Sequence, residues 1–186
     1  LRQKVYLDEA TGLPNKNKCE EILNAPDLLS AQDAVAICVF DLNNLRNINN
    51  NLGHDKGDEY IRSFAVQLRI AVADEYFVGR DGGDEFIAVL KNVTRMQVEE
   101  CLRDIREQAA KYSKEYPEMP ISYAVGYAMS QDFEQSTMRE LFRYADKNMY
   151  IDKNQAKLEE AAKEKKLHLE LLSSIRSQGF HFSDCI

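Results

Sequence analysis

The chain has 186 residues, 44% of them apolar, which is enough for one domain with a real core plus an extension and excludes disorder throughout. Its formal charge of −7 argues against a broad nucleic-acid or anionic-membrane surface, which needs a basic face. No run approaches the ~20 apolar residues of a membrane span. The cysteines (Cys19, Cys38, Cys101 and Cys185) are scattered without a C-x-x-C pair, which fits a reduced, cytoplasmic setting. No signal peptide is visible, and with Leu1 at its start the chain reads as a piece of something longer.

Asp8 to Asn15 carries Gly12 and Pro14 and reads as a turn region, followed by a short helix from Lys16 to Ala25. Asp33 to Phe40 (DAVAICVF) is a continuous apolar, β-rich run, the pattern of a buried central strand. The polar stretch from Asp41 to Asn51 reads as a loop, continued by Gly53-His54. A helix is expected from about Gly57, with Ile61, Phe64, Ala65 and Leu68 on one face. Tyr76 to Gly79 and Glu85 to Leu90 are strand-like, and Gly82-Gly83 between them is a hairpin signal. Thr94 and Gln97 have capping-box spacing and open a helix to about Tyr112. After Pro117 and Pro120, Ile121 to Met129 reads as a strand, and Thr137 starts a long helix. From Asn154 to about Ser177 the chain is rich in Ala, Glu, Lys and Leu with a thin apolar stripe, an extended helix or linker. The order of elements predicts an α/β sandwich with a mainly antiparallel sheet.

Several residues carry candidate chemistry. Asp41 follows the central strand, and Asp84 and Glu85 sit at the hairpin. If the hairpin pairs beside that strand, Asp41 and Asp84 come within reach of one another and supply the carboxylates that Mg²⁺ wants beside a phosphate. Gly82 and Gly83 let a ligand approach the backbone closely. Ordinary turn chemistry also explains Asp-Gly-Gly-Asp, and Asp41 could simply cap a helix. Asn49 and Asp58 suit a guanine edge, while Asp58 is equally a first-turn acid favoured by the helix dipole. Lys153 and Lys157 fit phosphates or a solvated face, and Arg46 is similarly open.

Together these residues resemble the GGDEF family of diguanylate cyclases. The blocks are Asp8 to Lys16, Asp41 to Asp58, Arg80 to Phe86, and Tyr144 to Tyr150, which resemble D-x-L-T-G-L-x-N-R, D-x-D-x-F-K-x-x-N-D-x-x-G-H-x-x-G-D, the signature itself, and A-D-x-A-L-Y. The resemblance implies a palm-like sandwich of the nucleotide-cyclase type, covering 1–157, with 158–186 as a helical extension or linker to a downstream domain. It implies condensation of two GTP into cyclic di-GMP, releasing two pyrophosphates, across a homodimer. It assigns a pair of Mg²⁺ ions, or Mn²⁺, to Asp41, Asp84 and the Leu42 carbonyl, with Asp84 and Glu85 catalytic. Asn49 and Asp58 would read guanine and His54 would line the pocket. Gly82 and Gly83 would admit the nucleotide, and Arg46, Lys153 and Lys157 would meet phosphate. An upstream sensor domain, in a larger membrane-bound protein with this part cytoplasmic, is also implied, and nucleic acid is not.

The chain departs from the pattern at Asn43, which replaces the second Asp of the D-x-D block, and at Asn50. Asn148 and Asp152 stand for alanines, and Ala156-Lys157 for Gly-Arg. Asn43 and Lys157 sustain the alternative of a catalytically weak, GTP-binding regulatory module. Asp58 favours GTP alone. The product-binding R-x-x-D motif is replaced by Ala73-Asp74-Glu75-Tyr76, so that form of product inhibition is expected to be absent. The spacing of Leu171, Ile175, Phe180 and Phe182 resembles the lead-in to an EAL-type phosphodiesterase domain.

Overall fold

A computed structural model describes residues 5–179. The described elements are α1 (Lys16–Leu23), β1 (Ala36–Leu42), α2 (Leu45–Leu52), α3 (His54–Ala71), β2 (Phe77–Arg80), β3 (Glu85–Leu90), α4 (Arg95–Glu115), β4 (Tyr123–Met129) and α5 (Met138–Ser177). The strands form one sheet in the order β2-β3-β1-β4, with every pairing antiparallel.

β1 is central and buried on both faces, which is why its sequence is continuously apolar rather than alternating. Cys38, Phe40, Phe86 and Ala88 face one way and join Tyr60, Phe64 and Leu68 of α3 and Val98 and Ile105 of α4. Ile37, Val39, Ile87 and Val89 face the other way and join Cys19 and Leu23 of α1 and Leu141, Ala145 and Met149 of α5. The result is the expected palm-like sandwich, with the sheet between two helical layers. Gly126 of β4 makes one of those layers fit. A Cβ there would lie 2.1 Å from the Met149 amide nitrogen and 2.4 Å from the Ala145 oxygen, so α5 rests directly on the strand backbone.

Local signals were reliable where the chemistry was local. Thr94 and Gln97 close both halves of the capping box, at 3.2 and 2.9 Å. Thr137 accepts from the Glu140 amide at 3.1 Å and starts α5.

Three expectations are corrected. β1 starts at Ala36 and runs through Asp41, because Ala31–Asp33 form a 3-10 turn closed by Asp33 on the Ser30 amide and Ala34 is left-handed. The expected loop after Asp41 contains the helix α2, whose Leu45 and Ile48, three residues apart, pack on the core. Gly53, at φ 90°, breaks α2 from α3, which therefore begins at His54 rather than Gly57.

α5 continues without a break past Lys157 to Ser177, and its last buried residue is Met149. Beyond that it becomes open to solvent, with Leu158 71% exposed. Phe180 and Phe182 lie outside the described residues. Among the described residues no helix is long and apolar enough to cross a membrane.

Candidate active site

The sheet register brings the predicted acids together. Asp41 lies opposite Glu85, so both side chains leave the sheet on the α5 face. The next residue pair is joined by the Leu42 amide donating to the Asp84 carbonyl at 2.8 Å. From α5, Lys153 Nζ donates to Asp41 Oδ2 at 2.6 Å. Leu42, Asn43, Arg46, Asp84, Lys153 and Lys157 line a cleft of ≈ 650 Å³, a volume suited to a nucleotide. Asp84 is half-buried in this cleft rather than standing at an exposed hairpin tip.

The electrostatics are strained by like charge. Burial, and then the Asp41 charge, push the Asp84 carboxyl above its ordinary range. Burial also pushes Glu85 up to about 8, with Asp81, Asp146 and Asp41 adding to it. Asp146 is raised by burial and by Asp41. The hydrogen bond to Asp41 raises the Lys153 pKa above its ordinary value, which keeps the ammonium charged. Among the described residues no three His, Cys, Asp or Glu converge on one point as a ready-made metal cage. Two neighbouring carboxylates whose repulsion a divalent cation would relieve are nonetheless the donor set that Mg²⁺ takes, completed by water and phosphate.

The base-reading candidates lie apart from this cleft. Asn49 is on α2, and His54 and Asp58 are exposed on the first turns of α3. The helices pack closely at one glycine: a Cβ on Gly57 would lie 1.7 Å from Asn49 Oδ1, so Gly57 is the seat of the Asn49 amide, next to Asp58. Gly82 and Gly83 are also outside the main cleft, in a ≈ 320 Å³ hollow with Asp8, Lys16 and Arg80. Neither adopts a left-handed φ, and nothing lies within 4 Å of where a Cβ would stand. Their lack of side chains therefore leaves open space before the loop rather than serving the turn.

Arg80 was not singled out from the sequence, yet it organises the loop. Its guanidinium donates to the Gly82 and Gly83 carbonyls at 3.1 and 2.8 Å and to both Asp8 oxygens at 3.2 and 3.1 Å. Asp8 in turn accepts from the Thr11 amide and hydroxyl at 2.9 and 2.7 Å. The opening block and the signature loop are thus one structure, and only their separate motifs were visible in sequence. Asn43 has a structural role: its amide donates to Ser122 Oγ at 3.0 Å, and Tyr60 donates to its carbonyl at 2.9 Å. It points at the strand connection rather than at Asp41.

A family model described as "Diguanylate cyclase, GGDEF domain" matches residues 5–159. The chain belongs to the GGDEF family. An uncharacterized membrane protein of Staphylococcus saprophyticus is 28% identical over 158 residues, 81% of this chain and 44% of that protein. This GGDEF chain thus spans less than half the length of the curated relatives it matches. Its fold is that of the GGDEF domain of DgcB from Caulobacter crescentus, solved with cyclic di-GMP. The TM-score is 0.67 at 21% identity, over 81% of this chain and 91% of that one. An EAL/GGDEF domain protein from M. capsulatus is 29% identical with a TM-score of 0.57, over 66% of this chain and 80% of that one.

Proposed function

We propose that this GGDEF domain is a diguanylate cyclase that joins two GTP into cyclic di-GMP and releases two pyrophosphates. The observation that carries the reading is the Lys153–Asp41 ion pair beside Asp84, where Asp84 and Lys153 line a nucleotide-sized cleft and the Asp41 charge raises Asp84. Asp41, Asp84 and the Leu42 carbonyl hold Mg²⁺, or Mn²⁺. When bound, the metal supplies charge neutralisation at the transferring phosphate and lowers the pKa of the attacking 3′-hydroxyl. Asp84 or Glu85 receives the hydroxyl proton. Lys153, Lys157 and Arg46 hold the triphosphate. The Asp58 carboxylate accepts from N1–H and N2–H₂ of guanine and Asn49 hydrogen-bonds the same base edge, with His54 beside them, and the open space before Gly82 and Gly83 admits the nucleotide. One domain binds one GTP, so two copies face each other for the reaction.

The tie of the Asn43 amide to Ser122 supports a structural reading of this departure from the family pattern. The relatives are membrane proteins more than twice as long as the match. That supports a regulated, cytoplasmic catalytic part of a larger protein, with an upstream sensor and the stretch from Leu158 onward leading to a further segment.

The test is incubation of the purified domain with GTP and Mg²⁺, with cyclic di-GMP read by mass spectrometry. Asp84→Ala is expected to lower product formation by about 10³-fold, the scale of losing one preorganised electrostatic stabiliser. Added micromolar cyclic di-GMP should leave the initial rate unchanged, as Ala73 and Tyr76 replace the product-binding pair. GTP binding without product at any protein concentration would convert the reading to a GTP-binding regulatory module.

A further inference from the structure

The ladder between β1 and β4 leaves every second residue of β4 unbonded on its outer side. The Ser130 amide bonds the Val35 carbonyl and the Asn43 amide bonds the Ser122 carbonyl. The even-numbered residues of β4 therefore bond β1, and Tyr123, Val125 and Tyr127 turn their N–H and C=O groups to the free edge. α5 takes two of these groups. Asp152 Oδ2 accepts from the Val125 amide at 3.0 Å, and Asn148 Nδ2 donates to the Tyr127 carbonyl at 2.9 Å. Asn148 and Asp152 are four residues apart, on one face of the helix. They are the residues that stand where the family block has alanines, and an alanine makes neither bond.

Their position along α5 matters. The last buried side chain of the helix is Met149, so the turn that carries Lys153, and the next turn with Lys157, have no core residue to anchor them. Among the described side chains, two bonds tie this turn to the sheet: Asp152 to the edge strand and Lys153 to Asp41 on the central strand. The second is lost when the Lys153 ammonium leaves Asp41 for a phosphate. The first is independent of the ligand.

We propose that Asp152, with Asn148 one turn before it, is a positioning residue for nucleotide binding: it clamps α5 to the free edge of β4 and so keeps Lys153 and Lys157 over the cleft. The proposal rests on the cleft being the GTP site. Asp152 touches no substrate. It acts by holding the helix that delivers two cations, so it governs the ground-state grip on the triphosphate and not the chemical step.

The experiment compares the parent domain with Asp152→Ala, Asp152→Asn and Asn148→Ala at one fixed protein concentration, reading KM and kcat for GTP and the exchange of the Val125 amide. Asp152→Ala is expected to raise KM about three- to tenfold, the worth of one charge-assisted hydrogen bond, with kcat within twofold and a deprotected Val125 amide. Asp152→Asn keeps an acceptor and restores both. Asn148→Ala moves KM the same way by less. A deprotected Val125 amide with KM unchanged overturns the proposal. So does a fall in kcat that matches the change in KM, or an Asp152→Asn variant as impaired as Asp152→Ala. Should Asp152→Ala fail to fold, Asn148→Ala and Asp152→Asn carry the comparison, and an unchanged KM in Asn148→Ala overturns it. Should the parent make no cyclic di-GMP, the cyclase reading fails, and the dissociation constant for Mg·GTP replaces KM with the same expected ratios.

Discussion

At the acidic end of the site, Asp41, Asp84 and Glu85 hang from paired strands whose register is set by a core buried on both faces. At the other end, apart from the cleft, the half-buried Asn49 of α2 rests on Gly57 of α3, and His54 and Asp58 are exposed on the first turns of α3. The first end is preorganised and electrostatically tense. The second is relaxed, and its side chains make no hydrogen bond among the described residues. Groups meant for charge stabilisation profit from being fixed before the substrate arrives, since their orientation then costs nothing during reaction. Groups that read a base edge need only be free to pair with it.

The largest expected effect is on the fixed end. Arg80→Ala removes the bonds that hold the Gly82 and Gly83 carbonyls and frees Asp8, so Asp84 is no longer held against Asp41. We expect kcat to fall about 10²-fold, the scale associated with a misplacement of about 1 Å, with KM little changed. Asp8→Asn should follow in the same direction. Steady-state kinetics on the two variants check this, and an unaltered kcat would remove the case for a rigid loop.

An intermediate effect is expected at the relaxed end. Asp58→Ala and Asn49→Ala should each raise the KM for GTP by about tenfold or more, as one or two hydrogen bonds to the base are lost. Competition between GTP and ATP for the purified domain gives the readout. If either variant lowers kcat as strongly as Arg80→Ala, the two ends are not built differently after all.

The smallest effect concerns stability. The Glu85 carboxyl is pushed up to about 8 from its ordinary 4.5 by burial and by Asp81. The folded state therefore binds a proton that the unfolded chain releases from pH 4.5 upward. Stability contributed at low pH is lost as pH rises, and the loss levels off above about 8. Glu85→Gln should flatten that slope. Thermal melts from pH 5 to 9 without divalent cation should show the parent falling behind the variant as pH rises, and parallel curves would contradict the buried, protonated Glu85. Mg²⁺ should narrow the gap by relieving the repulsion.

Legibility in the sequence followed range. β3, the Thr94 capping box and the Thr137 cap rest on neighbours within four residues, and each was readable. α2 was hidden because its asparagines resemble a loop, although Leu45 and Ile48 carried the helical spacing. The link from Arg80 to Asp8 spans 72 positions and left no local trace. The clamp from Asp152 to Val125 was visible only as an odd residue in a helix.

By itself the sequence determined the type of each long element, the antiparallel sandwich and the identity of the acids, because periodicity, caps and motif order are properties of the chain. The tertiary structure alone decided which of those acids become neighbours. Pairing of β3 with β1 sets Asp41 against Glu85, and α5 must seat on Gly126 before Lys153 can reach Asp41. Distances of this kind depend on register and on close packing across the sheet, which no local pattern encodes.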